Sequence, residues 1–371
     1  MKYYLIAGER SGDLHAGNYI KALKEEDKEA QVRAWGGEYV EEAGADLVVH
    51  YNEIAVMGFL EVLKQFSKIK KYLKLCEEDI VHYHPDVVVL VDFGGFNLRI
   101  AKFCKKNNIK VFYYISPKVW AWNQSRALKL KRYVDRMFCI LPFEKTFFKK
   151  YDWEVDYVGN PVMDAVKAHV VDEAFKQKWG IQEDSTIIAL LPGSRRQELN
   201  NMLPVMRQVV KQFPDFLFVV AAIRNFEAAI YSEISSEPNV VLVHEDTYNL
   251  LANSTSAIVT SGTATLETAL WNVPQVVPYK SSPVTMFIAK LLVKLKYISL
   301  VNLIVDKEVV KEFIQENMTV ENISAELMAI TKGKKRDKIL RDYKELFSIL
   351  GEENVSEKMA KLTVQYMKMG R

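Results

Sequence analysis

An apolar run that ends in a carboxylate is the most suggestive chemistry in this sequence. Val88-Val89-Leu90-Val91 delivers Asp92 to a strand end, and Gly94-Gly95 leave space beside it before Phe96-Asn97. A carboxylate there could take a proton from an attacking hydroxyl as a general base, or it could cap the helix that begins near Asn97. A second loop, Gly8-Glu9-Arg10-Ser11-Gly12-Asp13, follows the first apolar run. Its glycines would let a ligand approach backbone amides at a helix start, while Ser11 or Asp13 could equally serve as a cap. It has neither the Gly-x-Gly-x-x-Gly pattern nor a Lys-Ser/Thr pair, so dinucleotide and ATP readings are weak.

Two more loops suit phosphate. Leu191-Pro192-Gly193-Ser194-Arg195-Arg196-Gln197-Glu198 feeds a helix, whose amides and dipole favour an anion. Arg195 offers a planar fork for phosphate oxygens, or is an ordinary exposed helix-start arginine. In Ser261-Gly262-Thr263-Ala264-Thr265-Leu266-Glu267, small hydroxyl residues and glycine again precede a helix. Thr263 and Glu267 are four apart and share a helical face, so Glu267 could accept hydrogen bonds from ribose hydroxyls one turn below a diphosphate. A capping Ser/Thr supported by a glutamate is the plainer alternative. Phosphate-type loops in the second half together with a carboxylate loop in the first suit transfer of a sugar from UDP.

The elements that must position these loops read as parallel α/β. Short β-branched and aliphatic runs alternate with longer amphipathic segments, with strands expected at 3–7, 32–35, 87–91, 110–114 and 137–140. Helices are expected near 14–24, 60–78 and 98–106. After Val158-Gly159-Asn160-Pro161 a second series follows, at 186–191, 216–221, 240–243, 257–259 and 275–277. The fold class is therefore α/β, as two Rossmann-like doubly wound domains facing across a cleft, which suits a chain of 371 residues. The expected domains are 1–165, 166–345, and a C-terminal piece 346–371 whose amphipathic helix could pack back on the first. Ligands of such sheets bind outside the carboxyl ends of the strands, where all four loops fall.

Composition excludes several classes. Net charge is only +3, so no strong nucleic-acid field is implied. Cys76, Cys104 and Cys139 are too few and scattered for a disulfide framework or zinc site, and fit a reducing cytoplasm. There is no signal-peptide pattern and no run of 18 apolar residues. There is no Asp-x-Asp, and the six histidines, including the closely spaced His82 and His84, form no metal-ligand spacing. The basic run Lys332-Gly333-Lys334-Lys335-Arg336 reads as a solvated turn.

With these residues in hand, the chain closely resembles the lipid-A-disaccharide synthase family over nearly its whole length. The matching strings are Gly8-Glu9-Arg10-Ser11-Gly12-Asp13, Ala55-Val56-Met57-Gly58 and Tyr114-Ile115-Ser116-Pro117-Lys118-Val119-Trp120-Ala121-Trp122. Leu141-Pro142-Phe143-Glu144, Val158-Gly159-Asn160-Pro161, Leu190-Leu191-Pro192-Gly193-Ser194-Arg195 and Ser261-Gly262-Thr263 continue the match. The resemblance implies an inverting GT-B type transferase, with UDP-sugar as substrate and neither cofactor nor metal. It would join UDP-2,3-diacylglucosamine to 2,3-diacylglucosamine 1-phosphate (lipid X), giving a β-1,6 disaccharide and UDP. It makes Asp92 the catalytic residue and assigns Ser194, Arg195, Ser261, Gly262, Thr263, Glu267, Asn302 and Gln315 to UDP. Glu9, Ser11, Gly12, Asp13, Asn97 and Ser116 form the acceptor-side loops.

Two departures stand out. The family commonly has a second aspartate where this chain has Gly95, which concentrates the base assignment on Asp92. Val301 replaces the usual proline before Asn302. Because both implied substrates are acylated, the enzyme must meet a bilayer surface. Val56, Met57, Phe59, Leu60 and Leu63, followed by Lys64, Lys68, Lys70, Lys71 and Lys74, have the composition of an interfacial helix, or of a core helix with a solvated lysine face. The resemblance favours the former, hence a peripheral protein on the cytoplasmic face of a Gram-negative-type inner membrane; a homodimer is compatible with it. The competing readings are a UDP-sugar 2-epimerase, a peptidoglycan-type transferase, and a non-catalytic nucleotide-sugar-binding protein.

Overall fold

The computed structural model describes residues 1–55, 62–224, 226–281, 296–351 and 354–369. The chain forms two compact units, Met1–Pro161 with Glu352–Arg371, and Val162–Gly351. The division falls a few residues before the expected 165/166, at the proline that opens the helix Pro161–Ala168.

The first unit is built on β1 (Lys2–Ala7), β2 (Gln31–Gly36), β3 (Asp46–His50), β4 (Val87–Val91), β5 (Lys110–Tyr114), β6 (Arg136–Cys139) and β7 (Asp156–Tyr157). They form one parallel sheet in the order β3-β2-β1-β4-β5-β6-β7. β4 is buried at every position, as its unbroken Val-Val-Val-Leu-Val requires of a strand covered on both faces. The second unit repeats the plan with β8 (Ile187–Leu191), β9 (Leu217–Ala222), β10 (Val240–His244), β11 (Ser256–Val259), β12 (Gln275–Tyr279) and β13 (Lys311–Ile314). Its parallel order is β10-β9-β8-β11-β12-β13. The expected strands are present, and β3, β7 and β13 are additional edge strands.

The C-terminal segment does not begin at 346. The helix Lys334–Leu350 belongs to the second unit and stops at Gly351, whose φ of +79° suits glycine. The following helix, Val355–Met369, returns to the first unit. Its Val355, Met359, Ala360, Val364 and Met367 share a core with Ala16, Tyr19, Ile20 and Leu23 of the helix Arg10–Glu26. Tyr19 donates a buried hydrogen bond to Thr363 (3.1 Å), and Tyr366 donates to Asp156 (3.0 Å). Each large apolar side chain so buried contributes roughly 1.5–3 kcal/mol, so the last helix is part of the first core.

Candidate functional site

In a doubly wound sheet the two neighbours whose connections run in opposite directions open a crevice at their carboxyl ends. Here these pairs are β1/β4 and β8/β11. The four chemically unusual loops leave these four strands, at residues 8–13, 92–97, 192–198 and 260–267.

At β1/β4, Asp92 and Phe93 both adopt left-handed backbone conformations, with φ of 45° and 49°. Such a residue costs about 1–3 kcal/mol unless its surroundings hold it. Here Tyr113 donates its hydroxyl to the Asp92 carbonyl (2.6 Å), as does Asn97 Nδ2 (2.9 Å), which also reaches the Val91 carbonyl (3.2 Å). The Phe93 ring lies over Gly8, where a Cβ would stand only 2.3 Å from it. The turn aims a half-buried carboxylate out of the strand end. Burial raises the Asp92 carboxyl above the ordinary carboxylate range and the Glu9 charge adds to this, while Lys118 and the Phe93 amide oppose it. A hollow of about 430 Å³ opens beside it, bordered by Glu9, Asp92, Arg99, Ile69, Tyr72 and Phe96. Among the described residues, a Cβ at Gly95 would meet nothing within 4 Å.

Three signature strings converge at the ends of β5, β6 and β7. Glu144, 1% exposed, accepts hydrogen bonds from the Leu141 and Ile140 amides (2.9 and 3.2 Å) and from Trp120 Nε1 (3.2 Å). Burial pushes its carboxyl up to about 7, against these donors and the Ser116 hydroxyl. Asn160 Nδ2 donates to the Ile140 carbonyl (3.2 Å). The Ser-Pro-Lys-Val-Trp, Leu-Pro-Phe-Glu and Gly-Asn-Pro strings thus brace one another beside the Asp92 turn.

At β8/β11 the chemistry is cationic. Glu198 accepts the Ser194 and Arg195 amides (2.8 and 3.2 Å), so these two amides are engaged by a side chain rather than held open for an anion. Gly193, at φ +111°, leaves Glu198 room, since a Cβ would come within 2.5 Å of its carboxylate. The Arg195 side chain is 76% exposed, and its 3.3 Å pair with Glu198 is of the weak surface kind, so the guanidinium is available to a ligand. Thr263, also exposed, opens the helix Thr263–Leu270. One turn on, Glu267 accepts from Tyr248 (3.0 Å), and burial raises its carboxyl while that bond lowers it. Tyr248, His169 and Trp271 form an aromatic cluster behind this pair, with centroids 5.4–5.9 Å apart.

The family model described as lipid-A-disaccharide synthetase matches residues 3–366. The chain belongs to this family. A lipid-A-disaccharide synthase of Myxococcus xanthus is 35% identical over 377 residues, covering 99% of this chain and 98% of that protein. One from Coxiella burnetii is 34% identical over 363 residues, covering 96% of each. Among solved structures, UDP-GlcNAc 2-epimerase from Neisseria meningitidis bound to UDP-GlcNAc superposes with a TM-score of 0.72 at 15% identity, over 98% of this chain and 100% of that one. A calicheamicin glycosyltransferase gives 0.63 at 14% identity, over 99% and 98%. These likenesses place the fold among GT-B transferases and epimerases.

Within this member of the lipid-A-disaccharide synthetase family, the expected site residues divide into two groups. Glu9, Ser11, Asp92, Ser194, Arg195, Thr263 and Glu267 stand at the two switch points, with Gly12 buried in the first turn of the helix Arg10–Glu26 and Gly262 capping the helix Thr263–Leu270. The others are engaged inside the fold. Asp13, fully buried, accepts the amides of Gly37, Tyr39 and Val40 (2.6, 3.1 and 3.2 Å), capping the helix Glu38–Glu42. Asn97 clamps the Asp92 turn, Ser116 bonds the Pro117 carbonyl, and Ser261 donates to the Ile298 carbonyl (3.0 Å). Asn302 is enclosed: its Oδ1 takes the Val309 and Val310 amides, and its Nδ2 donates to Val310 and Glu312. Gln315 pins the Ser281 backbone through two bonds (2.9 and 3.2 Å). Asn302 and Gln315 thus hold the backbone around residues 281 and 309–310.

Sequence reasoning missed Glu312 and Tyr248. Glu312 accepts the Ile298 and Ser299 amides, the Ser299 hydroxyl and Asn302 Nδ2, and Ile298 in turn holds Ser261. A lone acid in a short edge strand and a tyrosine in a six-residue helix give no spacing signal. Val301 occupies the first turn of the helix Leu300–Val305, where proline is also tolerated, so that departure is compatible with the same local backbone. Val56, Met57, Phe59 and Leu60 lie outside the described residues; Leu63 belongs to the helix Val62–Tyr83, with its side chain outside them too.

Proposed function

We propose that this chain makes the lipid A disaccharide by a single in-line displacement in which Asp92 is the base and Arg195 supports the departing UDP. Lipid A disaccharide synthesis is the function of the family to which the chain belongs. Asp92 takes the proton from the 6-hydroxyl of lipid X as its oxygen bonds C1 of UDP-2,3-diacylglucosamine. The C1–O bond to UDP breaks, and the charge on UDP meets Arg195 and the helix start at Thr263. Glu267 receives the ribose hydroxyls. The observation that carries this reading is Asp92, held in a left-handed turn with a desolvated carboxylate at a switch point.

The reading needs no metal, because a guanidinium and helix N-termini neutralise the leaving group, and turnover in excess EDTA should equal that without it. No described helix is long and apolar enough to cross a membrane. We place the protein peripherally on the cytoplasmic face of the inner membrane, through residues 56–63, since both substrates carry acyl chains. Liposome flotation unchanged in a Phe59/Leu60/Leu63→Ser variant would overturn that placement.

UDP release, measured with each substrate alone and with both, tests the reaction. Release that demands the acylated acceptor is expected. Release from UDP-GlcNAc alone with an epimerised sugar would instead favour an epimerase, and tight binding without release a binding protein.

A further inference from the structure

We infer that Arg99 binds the 1-phosphate of the acceptor, and that the hollow over Gly95 receives the acceptor's sugar head. This rests on the reaction proposed above and goes beyond it by assigning a residue to acceptor recognition. Three observations within the first unit carry it.

The first is the charge layout of the hollow. Its carboxylates, Glu9 and Asp92, stand at the carboxyl ends of β1 and β4, and its cation, Arg99, stands on the helix Gly94–Lys106. Gly95 and Arg99 are four apart on that helix, so they share a face about one turn, roughly 5–6 Å, apart. An anionic group is repelled from the Glu9/Asp92 end and attracted to the Arg99 end. A sugar phosphate can therefore enter in only one sense, with a hydroxyl at Asp92 and the phosphate at Arg99. In a pyranose the ring oxygen is bonded to C1 and C5, and C6 hangs from C5, so a 6-hydroxyl and a 1-phosphate lie towards the same edge of the ring, on either side of that oxygen.

The second is that Arg99 is unengaged. It has no hydrogen-bond, ion-pair or ring partner among the described residues, although it borders a hollow with the apolar walls Ile69, Tyr72 and Phe96. The other cation near Asp92, Lys118, acts on its charge but does not border the hollow. The third is space. At about 430 Å³ the hollow falls within the range of small-molecule sites, and no described residue stands within 4 Å of a Cβ built on Gly95.

The test compares acylated acceptors with and without the 1-phosphate, in wild type, Arg99→Ala and Arg99→Lys. Wild type is expected to favour the phosphorylated acceptor. Arg99→Ala should lower kcat/KM for that acceptor about 10- to 100-fold, the scale of a charge-assisted bond, through its KM. The dephosphorylated acceptor and the KM for the UDP-sugar should change by less than about twofold, and Arg99→Lys should recover part of the loss. Equal losses on both acceptors would mean a structural role and overturn the inference, as would a phosphate preference that survives in Arg99→Ala or is missing from wild type. If wild type releases no UDP with either acceptor, the proposed reaction itself fails, and the role of Arg99 falls with it.

Discussion

The β1/β4 and β8/β11 switch points share one strand order but hold their loops by different means. At β1/β4 the loop is strained: two non-glycine residues sit at positive φ, and Asp92 is partly desolvated beside a hollow that it shares with Glu9 and Arg99. At β8/β11 the positive φ falls on Gly193, the loop is relaxed around Glu198, and Arg195 stands in solvent. A strained, desolvated carboxylate suits a proton transfer, whose efficiency depends on where the group points and on its pKa. An exposed guanidinium suits a flexible polyphosphate that arrives from solution with its own charge. On the proposed reading, the same topology serves chemistry in one unit and grip in the other.

The largest effect should come from breaking the chemical half. Asp92→Asn should reduce kcat by about 10²–10⁴-fold, the usual contribution of general base catalysis, while UDP affinity measured by calorimetry stays near wild type. In wild type, kcat/KM should fall as pH falls through a pKa above the ordinary carboxylate range, because burial raises Asp92 and the base must be ionised. A profile flat to pH 4 would contradict it. Breaking the gripping half comes next: Arg195→Ala should cost about 10²-fold in kcat/KM if it meets charge that grows as UDP leaves. A loss confined to KM would reassign Arg195 to uniform binding of the donor.

A structural break should sharpen the contrast. Glu312 lies in the second unit and reaches Ser261 only through Ile298. Glu312→Ala strips acceptors from two amides and Asn302, at about 1–3 kcal/mol for each group left buried and unpaired. Calorimetric unfolding should show the second unit destabilised, and UDP binding weakened with it.

Much of this plan was legible in the residues, and the limit is physical. Central strands are covered on both faces, so β4 and β8 read as unbroken apolar runs. The edge strands β3 and β13, Asp46–His50 and Lys311–Ile314, carry charges and are partly open, so they resemble loops. The two-residue β7 has no pattern at all. In the site, the loops could be found because they follow such runs, but the fate of each polar side chain could not. Asp13 and Asp92 are both acids that follow central strands closely; the first, in the opening turn of the helix Arg10–Glu26, turns inward to three amides and the second faces a hollow. The choice depends on Gly37, Tyr39 and Val40, more than twenty residues away in sequence. The bonds of Asn302 were hidden for the same reason, since its partners Val309, Val310 and Glu312 lie on or just before an edge strand with no sequence signal.

The smallest predicted effect tests whether the gripping half also depends on controlled burial. Glu267 is raised by burial and held down by the Tyr248 hydroxyl, so it is the one carboxylate there that resembles Asp92. Tyr248→Phe keeps the ring against His169 and Trp271 but removes the donor. The Glu267 pKa should then rise further, so the ionised form that we propose receives the ribose is lost at higher pH as pH falls. At pH 8 UDP affinity should drop only about 2- to 10-fold, the scale of one net hydrogen bond. The penalty should widen on acidification, and the acid limb of UDP binding should shift to higher pH. If Tyr248→Phe lowers affinity by the same factor at every pH, Tyr248 orients Glu267 without setting its charge, and the resemblance to Asp92 ends at burial.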